Sequence, residues 1–121
     1  MIDFNKITQY NDLNHENLQK DADNCQDCEL YEDRNNVVFY SGNTNANLML
    51  VGEGPGQQED ESGTPFIGRS GKLLTQLLTS CGIHRDDIYI TNSVKCRPPG
   101  NRTPKNNEMT QCRDYLIRQI Q

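Results

Sequence analysis

Three side chains that can recognise and act on a small planar ligand stand near the ends of two apolar runs. Glu53 follows the run 48–51, Asn92 lies near the end of the run 88–94, and Phe66 sits in the loop between them. An aromatic ring can stack on a heterocycle, and a carboxamide can offer both a donor and an acceptor to its edge. The carboxylate is then left for chemistry on the bound ligand.

Each of these side chains also has an ordinary structural explanation. Phe66 alone suits a hydrophobic core, Asn92 suits a strand-end cap, and Glu53 suits a solvated turn. The three together favour a binding site, because ligands of open α/β sheets bind beyond the carboxyl ends of the strands. We therefore expect the three side chains to line one pocket.

The loop that joins the two runs contains six glycines between residues 51 and 74. Ordering so many glycines costs chain entropy, so something is expected to approach this backbone closely. We assign the turn at Gly52 and Gly54 to the binding site, where backbone N–H groups reach a carbonyl oxygen of the ligand. Nucleotide motifs do not fit, since a dinucleotide fingerprint requires glycine at Gln57 and a P-loop requires glycine at Phe66.

The order of the predicted elements, strand, helix and strand, indicates the α/β class. The run 48–51 is typical of a strand buried on both faces of a parallel sheet, and residues 37–40 predict a short strand in an edge hairpin. We expect a three-layer α/β/α fold with a central, mostly parallel sheet. All 121 residues are assigned to one domain, which begins with a helical segment over residues 1–24.

Three helices are predicted to flank this sheet. The first covers residues 13–23, the second is capped by Ser70 and ends at Gly82, and the third begins at Thr103. The apolar residues expected to face the core are Leu73, Leu74, Leu77, Leu78 and Cys81 on the second helix, and Met109, Cys112, Leu116, Ile117 and Ile120 on the third.

The formal net charge of −5 hides two halves of opposite sign. Residues 1–61 carry 3 basic and 13 acidic side chains, whereas residues 62–121 carry 9 basic and 4 acidic ones. A phosphate backbone would dock on the second half, although a charged, solvated face explains the same residues. The basic side chains between positions 69 and 105 are Arg69, Lys72, Arg85, Lys95, Arg97, Arg102 and Lys105.

Hydropathy and cysteine content indicate a cytoplasmic protein with no membrane partner. The mean hydropathy is −0.86, no apolar run approaches the roughly 20 residues of a membrane span, and the N-terminus lacks a signal-peptide pattern. Five cysteines in a reducing compartment favour metal binding or packing over disulfides. Cys25 and Cys28 form a C-x2-C pair, and fifteen residues separate Cys96 from Cys112.

At these residues the chain resembles the iron–sulfur uracil-DNA glycosylases of the type 4 class. The resemblance runs from about residue 24 to residue 112 and rests on the stretches CQDCELYEDRNNVVFYSG, VGEGPGQQEDESGTPFIGRSGKLL and GIHRDDIYITNSVKCRPPGNRTP. It implies an enzyme of base-excision repair that flips uracil out of DNA and hydrolyses its N-glycosidic bond. We expect such an enzyme to act as a monomer on uracil-containing DNA.

The resemblance also implies roles for individual residues. A [4Fe–4S] cluster would be ligated by Cys25, Cys28, Cys96 and Cys112, which leaves Cys81 outside the ligand set. Four thiolates also suit zinc, although a C-x2-C pair combined with a C-x15-C pair is an unusual zinc spacing. The residues expected to contact DNA are Arg69, Lys95, Arg97, Arg102 and Lys105.

The same resemblance fits the proposed base site. Uracil is expected to contact Gly52, Glu53, Gly54, Phe66 and Asn92. Base loss leaves an oxocarbenium-like sugar and an anionic uracil. Glu53 is the expected catalytic residue, which either stabilises the cationic sugar or orients water.

The chain departs from the family at its C-terminus. The family is longer and carries a second motif, which contains a histidine, near its end. His15 and His84 are the only histidines here, and neither lies in such a motif. We therefore expect a chain that covers the N-terminal part of the fold, leaves a sheet edge unpaired and is impaired in catalysis. The alternatives are a non-catalytic, cluster-stabilised DNA-binding module and a zinc-stabilised interaction domain.

Overall fold

The computed structural model describes residues 15–120, in which three short strands form one sheet. The strands are β1 (Ser41–Gly42), β2 (Met49–Gly52) and β3 (Tyr89–Asn92). The helices are α1 (His15–Asp23), α2 (Gln57–Ser62), α3 (Arg69–Ser80) and α4 (Asn106–Ile120). Short 3₁₀ turns cover Glu29–Glu32, Arg85–Asp87 and Pro99–Asn101. No helix within residues 15–120 has the length and apolar character needed to cross a bilayer.

The first helix is confirmed from His15 onward, while the predicted start at residue 13 lies outside the described residues. The strands are arranged in the order β1-β3-β2, with β2 parallel to β3 and β1 antiparallel to it. This arrangement confirms the α/β class and makes the described sheet a mixed one, with one pairing of each kind.

The predicted edge hairpin is wrong. Strand pairing falls on Ser41–Gly42, where a turn was expected, and the partner of β1 is β3 and not its sequence neighbour β2. Residues 37–40 run alongside the segment that follows β3, and the N–H of Val38 donates to the carbonyl of Lys95 at 2.7 Å. The position of strand β1 is therefore determined by its pairing with the distant strand β3 and not by the local turn residues.

Strand β2 is also less buried than its apolar run predicts. Val51 is 47% exposed, whereas the adjacent Leu50 packs against a core cluster. Successive side chains of a strand point to opposite faces, and β2 is an edge strand of the described sheet. The run therefore buries one face only.

Two hydrophobic clusters lie on opposite faces of β3. Ile90 belongs to a cluster with Leu78 of α3, and the adjacent Thr91 donates to the carbonyl of Phe39, which belongs to the other cluster. The members of that larger cluster are Leu18, Ala22, Leu30, Phe39, Val94, Cys96, Cys112 and Tyr115. Helix α3 thus covers one face and helices α1 and α4 cover the other, which gives the three layers.

Helix α3 buries a narrower stripe than its sequence predicts. It begins at Arg69, directly after Gly68, and not behind a Ser70 cap, whereas Gly82 does adopt the left-handed conformation (φ 77°) expected after its end. Leu73 and Leu77 are each 56% exposed, and Cys81, which we placed in the core, is exposed. Only the side of the helix that meets β3 is covered by the described residues.

Helix α4 likewise differs from its predicted apolar stripe. It begins at Asn106, three residues after Thr103, and its most exposed apolar residue is Ile120. The buried residues are Glu108, Cys112, Tyr115 and Gln119. Polar side chains can be buried on this face because their hydrogen-bonding groups have partners there. The amide of Gln119, for example, donates to the carbonyl of Phe39 at 3.0 Å and to the hydroxyl of Tyr89 at 2.8 Å.

Replacing Gly71 by alanine tests how α3 is seated. A Cβ atom at position 71 would lie 1.9 Å from the carbonyl oxygen of Phe66 and 2.0 Å from its carbon, so backbone must move. We expect Gly71→Ala to lower the free energy of unfolding by about 1–3 kcal/mol or more, measured by denaturant unfolding. The adjacent exposed change Ser70→Ala is the control, and equal stability of the two variants would contradict this seating.

Candidate active site

A cleft of about 310 Å³ opens at the carboxyl ends of β2 and β3. The structure brings together Glu53, Phe66 and Asn92 in its lining. The parallel register pairs Gly52 with Asn92, and the pairing continues beyond the strands. The N–H of Ser93 donates to the carbonyl of Gly52 at 2.8 Å, and the N–H of Val94 donates to that of Glu53 at 3.1 Å. This ladder holds Glu53 beside the end of β3.

Gly52 makes room for the two side chains expected to recognise the ligand. A Cβ atom at this position would lie 2.3 Å from the Cζ of Phe66 and 2.4 Å from the Oδ1 of Asn92. The ring and the carboxamide therefore both lie over the Cα of Gly52. Asn92 is only 2% exposed, so its orientation is determined by packing and not by solvent.

Phe66 sits on a turn that the rest of the site supports. Its φ of 54° lies in the left-handed region, which is uncommon for a residue other than glycine. The guanidinium of Arg85 donates to the carbonyl of Phe66, to that of Pro65 at 2.5 Å and to the Oγ1 of Thr75 at 3.2 Å. Gly71 allows the backbone of Phe66 to lie directly against α3.

Glu59 is a site residue that the sequence argument missed. Its carboxylate accepts from the N–H groups of Gly56 at 2.9 Å, Ile67 at 3.1 Å and Gly68 at 2.6 Å, and it lines the same cleft. These bonds join both ends of the glycine loop. Gly56 and Glu59 have the spacing of an N-cap and the third helical residue. That spacing is the one signal in the sequence from which the role of Glu59 could have been predicted.

Glu53 differs from Glu59 in its surroundings. Its side chain is exposed at the rim of the cleft, whereas Glu59 is occupied by three backbone N–H groups. The turn that follows Glu53 is tightly packed, because a Cβ at Gly54 would lie 2.8 Å from the Cγ2 of Val94. The carboxylate of Glu53 therefore faces the opening on a firmly held backbone.

The basic residues divide into a rim group and an interior group. Arg69 and Arg102 line the cleft, Lys105 is exposed, and the Nε of Arg97 donates to the Oδ1 of Asn101 at 2.7 Å. Lys95 is only 2% exposed, so its predicted contact with DNA is wrong: the ammonium lies in the interior. Arg85 also points inward, toward the Phe66 turn, and does not belong to a phosphate-binding surface.

Arg102 is anchored to a buried carboxylate. Its Nη1 and Nη2 donate to the two oxygens of Glu108 at 2.7 and 2.8 Å, and the N–H of Lys105 donates to Glu108 at 2.8 Å. The hydrogen bonds from Arg102 hold the pKa of Glu108 at about 2, below its ordinary value of 4.5. The loop between Cys96 and α4 is thereby tied to the first turn of that helix.

A second cavity lies on the other face of the sheet. It is lined by Cys25, Cys28, Cys96 and Cys112, together with Arg34 and Lys95. Within residues 15–120, no three His, Cys, Asp or Glu side chains converge as a single metal ion requires. The four thiols surround a common space without meeting at one point, and Cys81 lies outside the set.

Burial and nearby cations shape the chemistry of these thiols. Burial raises the pKa of the Cys28 and Cys96 thiols and raises that of Cys112 to about 12. Arg34 donates to the Sγ of Cys96 at 3.3 Å and to the carbonyl of Cys25 at 2.6 Å. Any metal that binds here must therefore displace protons, while the cationic side chains favour the resulting thiolates.

The fold and the cleft define the class: an α/β protein with a cleft at the carboxyl ends of paired parallel strands. The chain belongs to the uracil DNA glycosylase superfamily, whose sequence model matches residues 39–121.

Several type-4 uracil-DNA glycosylases are similar to this chain. The one from Archaeoglobus fulgidus is 45% identical over 106 residues, which cover 88% of this chain and 53% of that protein. Those from Thermotoga maritima and Pyrobaculum aerophilum are 52% and 50% identical over 97 residues, which cover 80% of this chain and 50% of each relative. The chain thus spans about half the length of the relatives it matches.

The low pKa of Glu108 predicts a specific loss of stability in acid. Because the pKa is about 2 in the folded chain and 4.5 ordinarily, the ionised carboxylate contributes fully above about pH 4.5 and loses this contribution as the pH falls toward 2. We expect Glu108→Gln to lower the melting temperature by several degrees near pH 7, and this difference from the unmutated chain to shrink between pH 4.5 and pH 2. Thermal melts followed by circular dichroism measure this difference.

Asp114→Asn is the matched control for that series. Asp114 forms a partly exposed i,i+4 pair with Arg118 at 3.0 Å, and helix pairs of this kind contribute only about 0.3–0.5 kcal/mol. A difference between Glu108→Gln and the unmutated chain that stays constant over the acid range would contradict the role of the ionised carboxylate.

Proposed function

We propose that this chain removes uracil from DNA by hydrolysing the N-glycosidic bond, leaving an abasic site for base-excision repair. The observation that carries the proposal is the single cleft that joins Glu53, Phe66 and Asn92 at the ends of two paired strands. Membership of the uracil DNA glycosylase superfamily and similarity to type-4 enzymes support it.

The base is recognised by stacking and by its hydrogen-bonding edge. A flipped uracil stacks on the ring of Phe66, with the glycine turn at Gly52 and Gly54 beside it, and backbone N–H groups of that turn donate to a base carbonyl. Asn92 presents one donor and one acceptor to the pyrimidine edge. Cytosine carries an amino group where uracil carries a carbonyl, so a carboxamide held in one orientation accepts uracil and rejects cytosine.

Glu53 is the proposed catalytic residue. The bond between the sugar C1′ and the base N1 breaks, its electron pair leaves with uracil, and water adds to C1′ with loss of a proton. The carboxylate of Glu53 either stabilises the cationic sugar or orients the attacking water. We choose Glu53 over Glu59 because the Glu59 carboxylate is already held by three backbone N–H groups.

The phosphate backbone is held by basic residues around the cleft. Arg69, at the start of α3, lines the cleft together with Arg102, whose guanidinium is fixed by Glu108. Arg97 and Lys105 extend this surface along the loop before α4. Contacts of this kind position the duplex without reading its sequence.

The four cysteines around the second cavity are proposed to ligate a [4Fe–4S] cluster. Four thiolates around one cavity are the ligand set that such a cluster requires, and a C-x2-C pair combined with a C-x15-C pair is an unusual zinc spacing. Bound there, the cluster would supply cross-links between Cys25, Cys28, Cys96 and Cys112. It would tie α1 and the loop of Arg97 and Arg102 to α4, and the reducing cytoplasm would keep the thiols available.

Glu53→Gln tests the catalytic assignment. We expect the unmutated chain to produce abasic sites in a uracil-containing oligonucleotide at a low but measurable rate, in keeping with the impaired catalysis expected from its sequence. The variant is expected to lose about a hundredfold or more in kcat while keeping its affinity for that oligonucleotide, because the charge is lost and the base site is not. Alkali cleavage of the product measures turnover, and fluorescence anisotropy measures binding.

The exposed change Glu61→Gln, on α2 and outside the cleft lining, is the control for that experiment. Turnover by Glu53→Gln equal to that of the unmutated chain would refute the catalytic role. Binding of the oligonucleotide without any turnover by the unmutated chain would instead favour the non-catalytic DNA-binding module.

Asn92→Asp tests base selection. The substitution replaces the amide donor by a carboxylate oxygen, so one hydrogen bond to the uracil edge is lost and a charge is placed beside it. We expect kcat/KM on uracil to fall by about ten- to a hundredfold and the preference for uracil over cytosine to weaken. Excision kinetics on matched uracil and cytosine oligonucleotides give both values, and unchanged kinetics would contradict the assignment.

A further inference from the structure

Lys95 places a positive charge in the interior of the protein. Its side chain is 2% exposed, and its Nζ donates to the Oγ1 of Thr91 at 2.7 Å and to the carbonyl of Asn92 at 2.5 Å. The ring of Phe39 lies 5.8 Å away, measured to its centroid. The ammonium therefore contacts the backbone of the residue that lines the base site.

This buried charge has no carboxylate partner among residues 15–120. The ion pairs found there join His84 to Asp86, Arg102 to Glu108 and Arg118 to Asp114, and none includes Lys95. A charge taken out of water is costly unless an opposite charge compensates it. Hydroxyl and carbonyl oxygens satisfy its hydrogen bonds but supply no negative charge.

The same residue also lines the cysteine cavity. Lys95 lines it together with all four cysteines. Arg34 reaches the cavity from the other direction, 3.3 Å from the Sγ of Cys96. An oxidised [4Fe–4S] cluster carries two positive charges and its four thiolates carry four negative ones, so the bound centre leaves two negative charges for these two cations to balance.

We infer that Lys95 is a positioning residue that supplies counter-charge to the four-cysteine centre and, through its bond to the Asn92 carbonyl, couples that centre to the base-recognition strand. The coupling of Lys95 to uracil recognition rests on the proposed function. The counter-charge role rests on the cysteine cavity alone. Lys95 thus links the cysteine cavity to the base site. This role replaces the DNA contact predicted from the sequence.

The experiment separates the charge of Lys95 from its hydrogen bonds. Lys95→Met removes both, Lys95→Gln keeps a donor without the charge, and Thr91→Val removes one hydrogen-bond partner and keeps the charge. Each protein is purified anaerobically, and its iron content, visible absorption and reduction potential are measured beside kcat/KM on a uracil oligonucleotide. Lys20→Met, at an exposed lysine of α1, is the remote control.

Reduction adds an electron to a centre that is already negative, so a neighbouring cation favours the reduced state. We expect a lower reduction potential in both Lys95 variants and an unchanged one in Thr91→Val and Lys20→Met. Lys95→Met should also lose about tenfold or more in kcat/KM, and Lys95→Gln should lose less. If Lys95 had a structural role only, its replacement would change the thermal stability but would not produce this pattern of reduction potentials.

The possible outcomes test the counter-charge, the coupling to Asn92 and the proposed function separately. Potentials of the Lys95 variants equal to that of the unmutated chain would overturn the counter-charge, and if Lys95→Met does not fold, Lys95→Gln decides the same question. A shifted potential with unchanged kcat/KM would overturn the coupling to Asn92. An unmutated chain that contains iron but excises no uracil would refute the proposed function, while its potentials still test the charge. A colourless, iron-free chain would overturn the counter-charge itself.

Discussion

The parallel pairing of Gly52 with Asn92 is the contact on which the rest of the described fold depends. It brings the end of β2 to the end of β3, and the ladder continues through Ser93 and Val94 so that Glu53 is held beside the cleft. Glu53 and Asn92 leave the sheet at this edge, and the ring of Phe66 lies against Gly52 there. A change of register by one residue would turn Asn92 away from Phe66, because strand side chains alternate between faces.

The two faces of β3 carry different chemistry. Toward α3 lie Ile90 and Asn92, in contact with the apolar cluster and the Phe66 turn. Toward α1 and α4 lies a buried polar network in which Tyr89, Thr91 and Gln119 bond to one another or to the carbonyl of Phe39. Such a network is stable only when its members are satisfied, so it specifies how α4 is placed on the sheet.

Charged side chains hold several of the loops around this sheet. Glu59 joins the two ends of the glycine loop, Arg85 holds the turn at Phe66, and the pair of Arg102 and Glu108 fixes the segment before α4. A chain in which hydrophobic residues make up 33% has a modest core. Charge-assisted hydrogen bonds therefore help to hold the segments that line the cleft.

The amino-acid sequence by itself determined the α/β class and the strand, glycine loop, helix and strand order, and it pointed to Glu53, Phe66, Asn92 and the four cysteines. Those signals are local, since they consist of residue types at short spacings. Only the tertiary structure decided that β1 pairs with β3, that Lys95 and Arg85 point inward and that Cys81 is exposed. The physical reason is that burial and hydrogen-bond partners come from distant segments. A lysine is predicted to be a surface cation from its sequence, and only the fold shows that Lys95 is buried beside a carbonyl, a hydroxyl and the cavity of the four cysteines.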